Sequence, residues 1–169
     1  MKKSKIIVSL MLVVCLAFSC FATGCSESVN LDAYFKYNGL AILLPEGFTV
    51  SDMSGMKVAC GPDYPTSSDN ITFSYSETDD ISKYSEDVVL ATFKALDSTI
   101  EKLDTYEKIK INNVDFIHVK ASITFSEISM TQTGYYATIG GKVVGVTFTS
   151  TSGKYDADFE TTAQSMRAV

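Results

Sequence analysis

His118 is the only histidine of the chain, so any Ser-His-Asp or Cys-His centre would have to be built on it. Its neighbours Ile117 and Val119 are apolar, and Lys120 shares its side of an alternating segment. A lone histidine in such a strand reads as structural or solvated. Cys60 is the other candidate nucleophile. Following Val58-Ala59, it reads as a small buried hydrophobe. No HExxH, CxxC or EF-hand pattern occurs, so neither a metal site nor a cofactor is expected. Asp156, Asp158 and Glu160 fall at the start of a predicted helix, where the dipole favours negative charge. Asp79-Asp80 and Glu86-Asp87 read the same way. Gly140-Gly141 lacks the GK[ST] of a phosphate cradle and reads as a turn. No catalytic residue is assigned. The candidate binding surface is aromatic: Tyr64 lies in a proline-rich loop, and of the adjacent Tyr135 and Tyr136 one must leave the core face. Tyrosine beside serine and threonine makes adaptable contacts.

The N-terminus holds a different chemistry. Lys2, Lys3 and Lys5 precede an apolar run from Ile6 to Phe18, and small residues then lead to Cys25. This is the layout of a secretory signal peptide, with a run too short for a typical spanning helix. Ala22-Thr23-Gly24-Cys25 resembles the lipobox of bacterial lipoproteins. The resemblance implies cleavage between Gly24 and Cys25 and a diacylglyceryl thioether on Cys25. A second box ending at Cys20 is poorer, because Phe18 is bulky. Two acyl chains on one cysteine should hold the protein firmly, where a single myristoyl chain binds only reversibly. Ser26 to Asn30 form a short polar tether, reaching less than ~20 Å when extended.

These features divide the chain into a signal peptide (1–24), the lipidated cysteine with its tether (25–31) and one domain (32–169). The formal charge of the whole chain is −6, and removing the three leader lysines leaves −9. Arg167 is the only arginine. Such an acidic domain is a poor partner for nucleic acid or anionic head groups, so the membrane link is expected to come from lipid. Cys15 and Cys20 leave with the leader and Cys25 takes the lipid. Cys60 is then left without a disulfide partner.

The elements that must position these residues are strands in hairpins, broken by two helices. Asn38-Gly39 is a type I′ turn signal between Leu31 and Pro45. Phe48 to Val50, Met56 to Cys60 and Ile71 to Ser76 read as strands, with a loop over 61–70. A helix is predicted from Ser85 to Leu103, its apolar stripe being Val89, Phe93, Leu96, Ile100 and Leu103. Strands follow over 107–111, 115–125, 130–139 and 142–150, turning at Asn112-Asn113 and Gly140-Gly141. A last helix begins near Tyr155. The expected fold is α+β: a central, mostly antiparallel sheet with both main helices on one aliphatic face, plus an N-terminal signal helix. The other face is rich in serine and threonine and should be at least partly wet.

Over Tyr34 to Ala168 this order resembles the PsbP-like family and its bacterial DcrB-like lipoprotein relatives. The resemblance is carried by Leu43-Leu44-Pro45-Glu46-Gly47-Phe48, the helix Glu86 to Ile100, and Lys110-Ile111-Asn112-Asn113-Val114. Tyr135-Tyr136 before Gly140-Gly141-Lys142-Val143-Val144, and Asp158-Phe159-Glu160 with Ser165, complete it. It implies an antiparallel sheet packed with helices and a binding or assembly role. The Ser/Thr-rich second face departs from a sheet covered on both sides. The expected function is a lipid-anchored, non-catalytic binding or assembly module on the extracytoplasmic face of the cell membrane, with an envelope protein as partner. The alternative is a small-molecule or metal-binding accessory of a transporter, and a hydrolase using His118 or Cys60 comes third.

Overall fold

The computed structural model describes residues 30–53, 56–125 and 127–169. The expected signal helix, the cleavage pair Gly24 and Cys25 and most of the tether lie outside the described residues. The described strands and helices belong to one compact unit, Ala33–Val169.

Local turn chemistry builds the hairpins. Strands β1 (Phe35–Tyr37) and β2 (Leu40–Ile42) are joined by Asn38 and Gly39 at φ 47° and 83°. Two positive φ values in succession are what a type I′ turn requires. The larger sheet uses β3 (Thr49–Met53), β4 (Met56–Cys60), β5 (Asn70–Ser76), β6 (Thr105–Ile111), β7 (Val114–Phe125), β8 (Ile128–Ile139) and β9 (Lys142–Ser150). Asn112-Asn113 and Gly140-Gly141 reverse the chain with positive φ at both residues. The final strand β10 (Arg167–Ala168) pairs with β2, giving a three-stranded sheet β1-β2-β10 beside a seven-stranded one, β3-β4-β5-β9-β8-β7-β6. Every described pairing is antiparallel.

The two helices, α1 (Glu86–Leu96) and α2 (Asp156–Ser165), lie on opposite faces of the large sheet, not on one face as expected. Val89 and Phe93 of α1 pack with Ile117, Val119, Ala121 and Ile123. Phe159 and Ala163 of α2 pack with Tyr135, Val146 and Phe148. Register explains the difference. Val119 sits opposite Gly134, and Gly134 opposite Thr147. The aliphatic side of β7 therefore shares a face with the threonine side of β9. The apolar stripe changes face part-way across the sheet, and each helix covers the part it finds.

Helix α1 also stops earlier than its periodicity suggests. Asp97 accepts bonds from Thr99 N (2.9 Å), Thr99 Oγ1 (2.6 Å) and Thr124 N (2.8 Å), so its side chain draws the backbone out of the helix. Ile100 and Leu103 stay buried in the irregular segment that follows, while Leu96 is 48% exposed. Ser85 occupies the N-cap position but makes no side-chain capping bond.

Two features of the sheet have no obvious sequence signature. Tyr136 lies flat over Gly134 and Gly145: a Cβ added at either glycine would come within 2.8–2.9 Å of its ring. Asp69 is a carboxylate only 1% exposed. It accepts bonds from Thr151 N (2.7 Å), Ser152 N (3.2 Å), Ser152 Oγ (2.6 Å) and the Ser67 hydroxyl. Burial pushes its pKa up, but these donors outweigh that and hold it below the usual carboxylate range.

Candidate functional site

Helix α2 covers β9 and the adjoining part of β8 but stops short of the stretch of β7 beyond His118, where Lys120 on the same face stays exposed. The result is a polar trough of ≈ 420 Å³. Its floor follows from the period of two along each strand. His118 sits opposite Tyr135, Lys120 opposite Thr133, and Thr133 opposite Phe148. Asp156 and Glu160 line its wall from the first turns of α2. A second hollow of ≈ 420 Å³ shares Thr131, Ser150 and Asp156 and extends the trough past Ser122, Thr124 and Ser129. Its lining is dominated by hydroxyls, which can donate or accept as a ligand demands.

His118 is held from two sides. Its Nδ1 lies 2.9 Å from Glu107 Oε1 on β6. Its ring stacks on Tyr135 at 4.7 Å and 12°. Tyr135 is 7% exposed. Burial, with smaller contributions from Glu160 and Glu107, raises its phenol pKa to about 12. An imidazole oriented by a carboxylate supplies two of the three members of a catalytic triad. Among the described residues, however, no serine, threonine or cysteine hydrogen-bonds to it. Cys60 is not its partner. Strands β5, β9 and β8 separate β4 from β7, a span of roughly 19 Å at the usual strand spacing. The register also places Cys60 on the opposite face from His118. Burial raises the pKa of the Cys60 thiol, disfavouring the nucleophilic thiolate.

The three tyrosines named from the sequence do not form one surface. Tyr64 is 51% exposed on the loop between β4 and β5. Tyr135 lies beneath His118, and Tyr136 faces the other side, against Tyr84 at 5.5 Å. Sequence reasoning missed the trough itself. The alternation His118, Lys120, Ser122, Thr124 was its signal, but the matching rows on β8 and β9 depend on register.

A second, more apolar cleft of ≈ 640 Å³ opens at the turn end of β6, β7 and β8. Ile81, Val114, Phe116 and Ile139 line it, with Lys108 and Asn113 among its polar groups. Among the described residues no three His, Cys, Asp or Glu side chains converge as a metal-binding group. No described helix is long and apolar enough to cross a membrane.

No family model matches the sequence, and no curated protein matches it either. Solved structures do match the fold. The solution structure of cyanobacterial PsbP (CyanoP) from Synechocystis sp. PCC 6803 superposes with a TM-score of 0.60 over 88% of this chain and 99% of that one, at 16% identity. The fold is PsbP-like. A crystal structure from Bacteroides thetaiotaomicron VPI-5482 matches with a TM-score of 0.54 and 17% identity over 83% of this chain. The present chain spans about half of that protein, 49%. At these identities the PsbP-like likeness is one of architecture.

Proposed function

We propose that this chain is a lipid-anchored, non-catalytic binding module on the extracytoplasmic face of a bacterial cell membrane, and that it engages an envelope protein through the trough beside His118. One observation carries the reading. The trough offers a row of hydroxyls and charged groups, while its imidazole is engaged by Glu107 and Tyr135 rather than by a nucleophile. A PsbP-like fold favours an accessory, non-enzymatic role. The address rests on Ala22-Thr23-Gly24-Cys25, and the acylated cysteine supplies the attachment. In-cell photocrosslinking tests the reading. A photoreactive residue at Thr133 should yield one recurring adduct that a probe at Leu96 does not. Equal capture from both positions, or none from Thr133, would count against the trough.

The ≈ 640 Å³ cleft supports a second reading, a small-molecule accessory of a transporter, since its size and apolar lining fall within the range of ligand pockets. Native mass spectrometry of protein purified from cells would reveal a retained ligand, lost on Phe116→Trp. A chain always found at its own mass would remove this alternative.

A further inference from the structure

The small sheet has an inner and an outer face. Phe35, Tyr37, Leu40 and Ile42 turn inward, where Phe73 meets the rings of Phe35 and Tyr37 at 4.8 and 5.8 Å. Alternation sends Lys36 and Ala41 outward, and the register sets Arg167 beside Ala41. Tyr34 and Leu43 continue the same outward rows. Arg167 and Tyr34 belong to chain segments on opposite sides of β2, yet the guanidinium carbon is 5.0 Å from the ring centroid. They therefore meet over Ala41, which explains why an outward-pointing alanine is 0% exposed. Leu43, 41% exposed, completes the patch. Among the described residues neither Lys36 nor Arg167 forms an ion pair with a carboxylate. An otherwise acidic domain thus carries a patch of one aromatic ring, one leucine and two cations.

We propose that this patch rests on anionic phospholipid head groups of the bilayer that holds the anchor, and so fixes the orientation of the domain. The inference depends on the lipidation of Cys25 proposed above. Cys25 lies eight residues before Ala33, where the compact unit begins, and a fully extended segment of that length reaches about 28 Å. A domain of this size is roughly 37 Å across, so half its circumference is roughly 58 Å. The tether is too short to wrap the domain and present its far side. The face next to Ala33 is held toward the lipid, and β1 begins two residues later.

The side chains suit that position. Tyrosine rings favour the head-group layer, and arginine and lysine keep their stems in apolar surroundings while reaching for phosphate. Each basic residue close to an anionic leaflet strengthens contact by roughly fivefold. The acyl chains supply attachment, and the patch supplies orientation. Helix α1, packed on the far side of the large sheet, then faces away from the membrane.

The chain has no tryptophan, so Leu43→Trp and Leu96→Trp each report one position. The full-length chain, processed in cells, is placed in phosphatidylcholine–phosphatidylglycerol vesicles with brominated acyl chains. The lipid should quench Leu43→Trp several-fold more than Leu96→Trp. K36E should weaken docking by at least roughly fivefold, and K36E with R167E by at least roughly 25-fold, both read as lost quenching in the Leu43→Trp background. K36E leaves the Arg167–Tyr34 contact intact, so its effect does not depend on refolding of the patch. Intact mass of the same sample reports the acyl group. Equal quenching at both positions, or quenching indifferent to K36E, overturns the docking while leaving the anchor standing. An unacylated Cys25 overturns both.

Discussion

Removing the carboxylate of Asp69 should loosen the clasp between the loop before β5 and the segment after β9. Its two oxygens divide the work. Oδ1 takes the backbone N–H groups of Thr151 (2.7 Å) and Ser152 (3.2 Å) and, more weakly, the Thr151 hydroxyl (3.4 Å), while Oδ2 takes the hydroxyls of Ser152 and Ser67. In Asp69→Asn the amide can keep its oxygen toward the two N–H groups, because the hydroxyls can rotate to accept from its NH₂. The loss is then mainly charge assistance, about 1–2 kcal/mol. Asp69→Ala removes all five contacts and should cost about 3 kcal/mol, a fall in Tm of roughly 10 °C for a domain of this size. The pH dependence has a definite sign. Because the folded pKa is depressed, the carboxylate's contribution is fully present above its unfolded value near 4 and is lost as pH falls through the folded pKa. Thermal melts of the three proteins at pH 7 and at pH 3 test this. The gap between wild type and Asp69→Asn should narrow in acid. A gap of equal size at both pH values, or an alanine variant no worse than the asparagine one, would show that the Asp69 carboxylate does not hold this clasp.

Other predictions rest on separate observations. Gly145→Ala places a methyl 2.9 Å from the Tyr136 ring and 2.7 Å from Ser74 Oγ, and should destabilise by about 1–3 kcal/mol in urea unfolding. Gly140→Ala has open space around it but a φ of 57°, so its smaller cost should come from backbone strain alone. Spectrophotometric titration should find Tyr135, raised to about 12, ionising late, with the component near 12 missing in Tyr135→Phe. Because the folded phenol pKa lies above the unfolded one, Tyr135 should make stability decline as pH climbs from 10.0 towards about 12. Phe159→Ala, which deletes a ring packed against Phe48 and Phe148, should cost about 3–5 kcal/mol in the same unfolding assay.

The turns were the most legible part of the fold. Asn38-Gly39, Asn112-Asn113 and Gly140-Gly141 each announce positive φ, and each sits where a hairpin closes. Alternation likewise identified the two sides of β7 and β9 correctly. What alternation cannot supply is which side of one strand joins which side of another. The pairings of Val119 with Gly134 and of Gly134 with Thr147 decide that, and with it the placement of α1 opposite α2. The trough was hidden for the same reason, since His118 gains its meaning from Tyr135 and from α2. Asp69 was hidden differently. In sequence it belongs to a polar loop, and only long-range contact with Thr151 and Ser152 makes it a buried clasp. The end of α1 departs from its periodicity, which continues through Ile100 and Leu103 while Asp97 captures the backbone.

We propose that this domain works while tethered to a membrane by lipid on Cys25. Intact mass spectrometry of the chain extracted from the membrane fraction of its native cells tests it most directly. The expected species has its mature N-terminus at Cys25 carrying a diacylglyceryl group, and Cys25→Ala should be lost from membranes. An unmodified chain recovered in the soluble fraction would rule out the anchor.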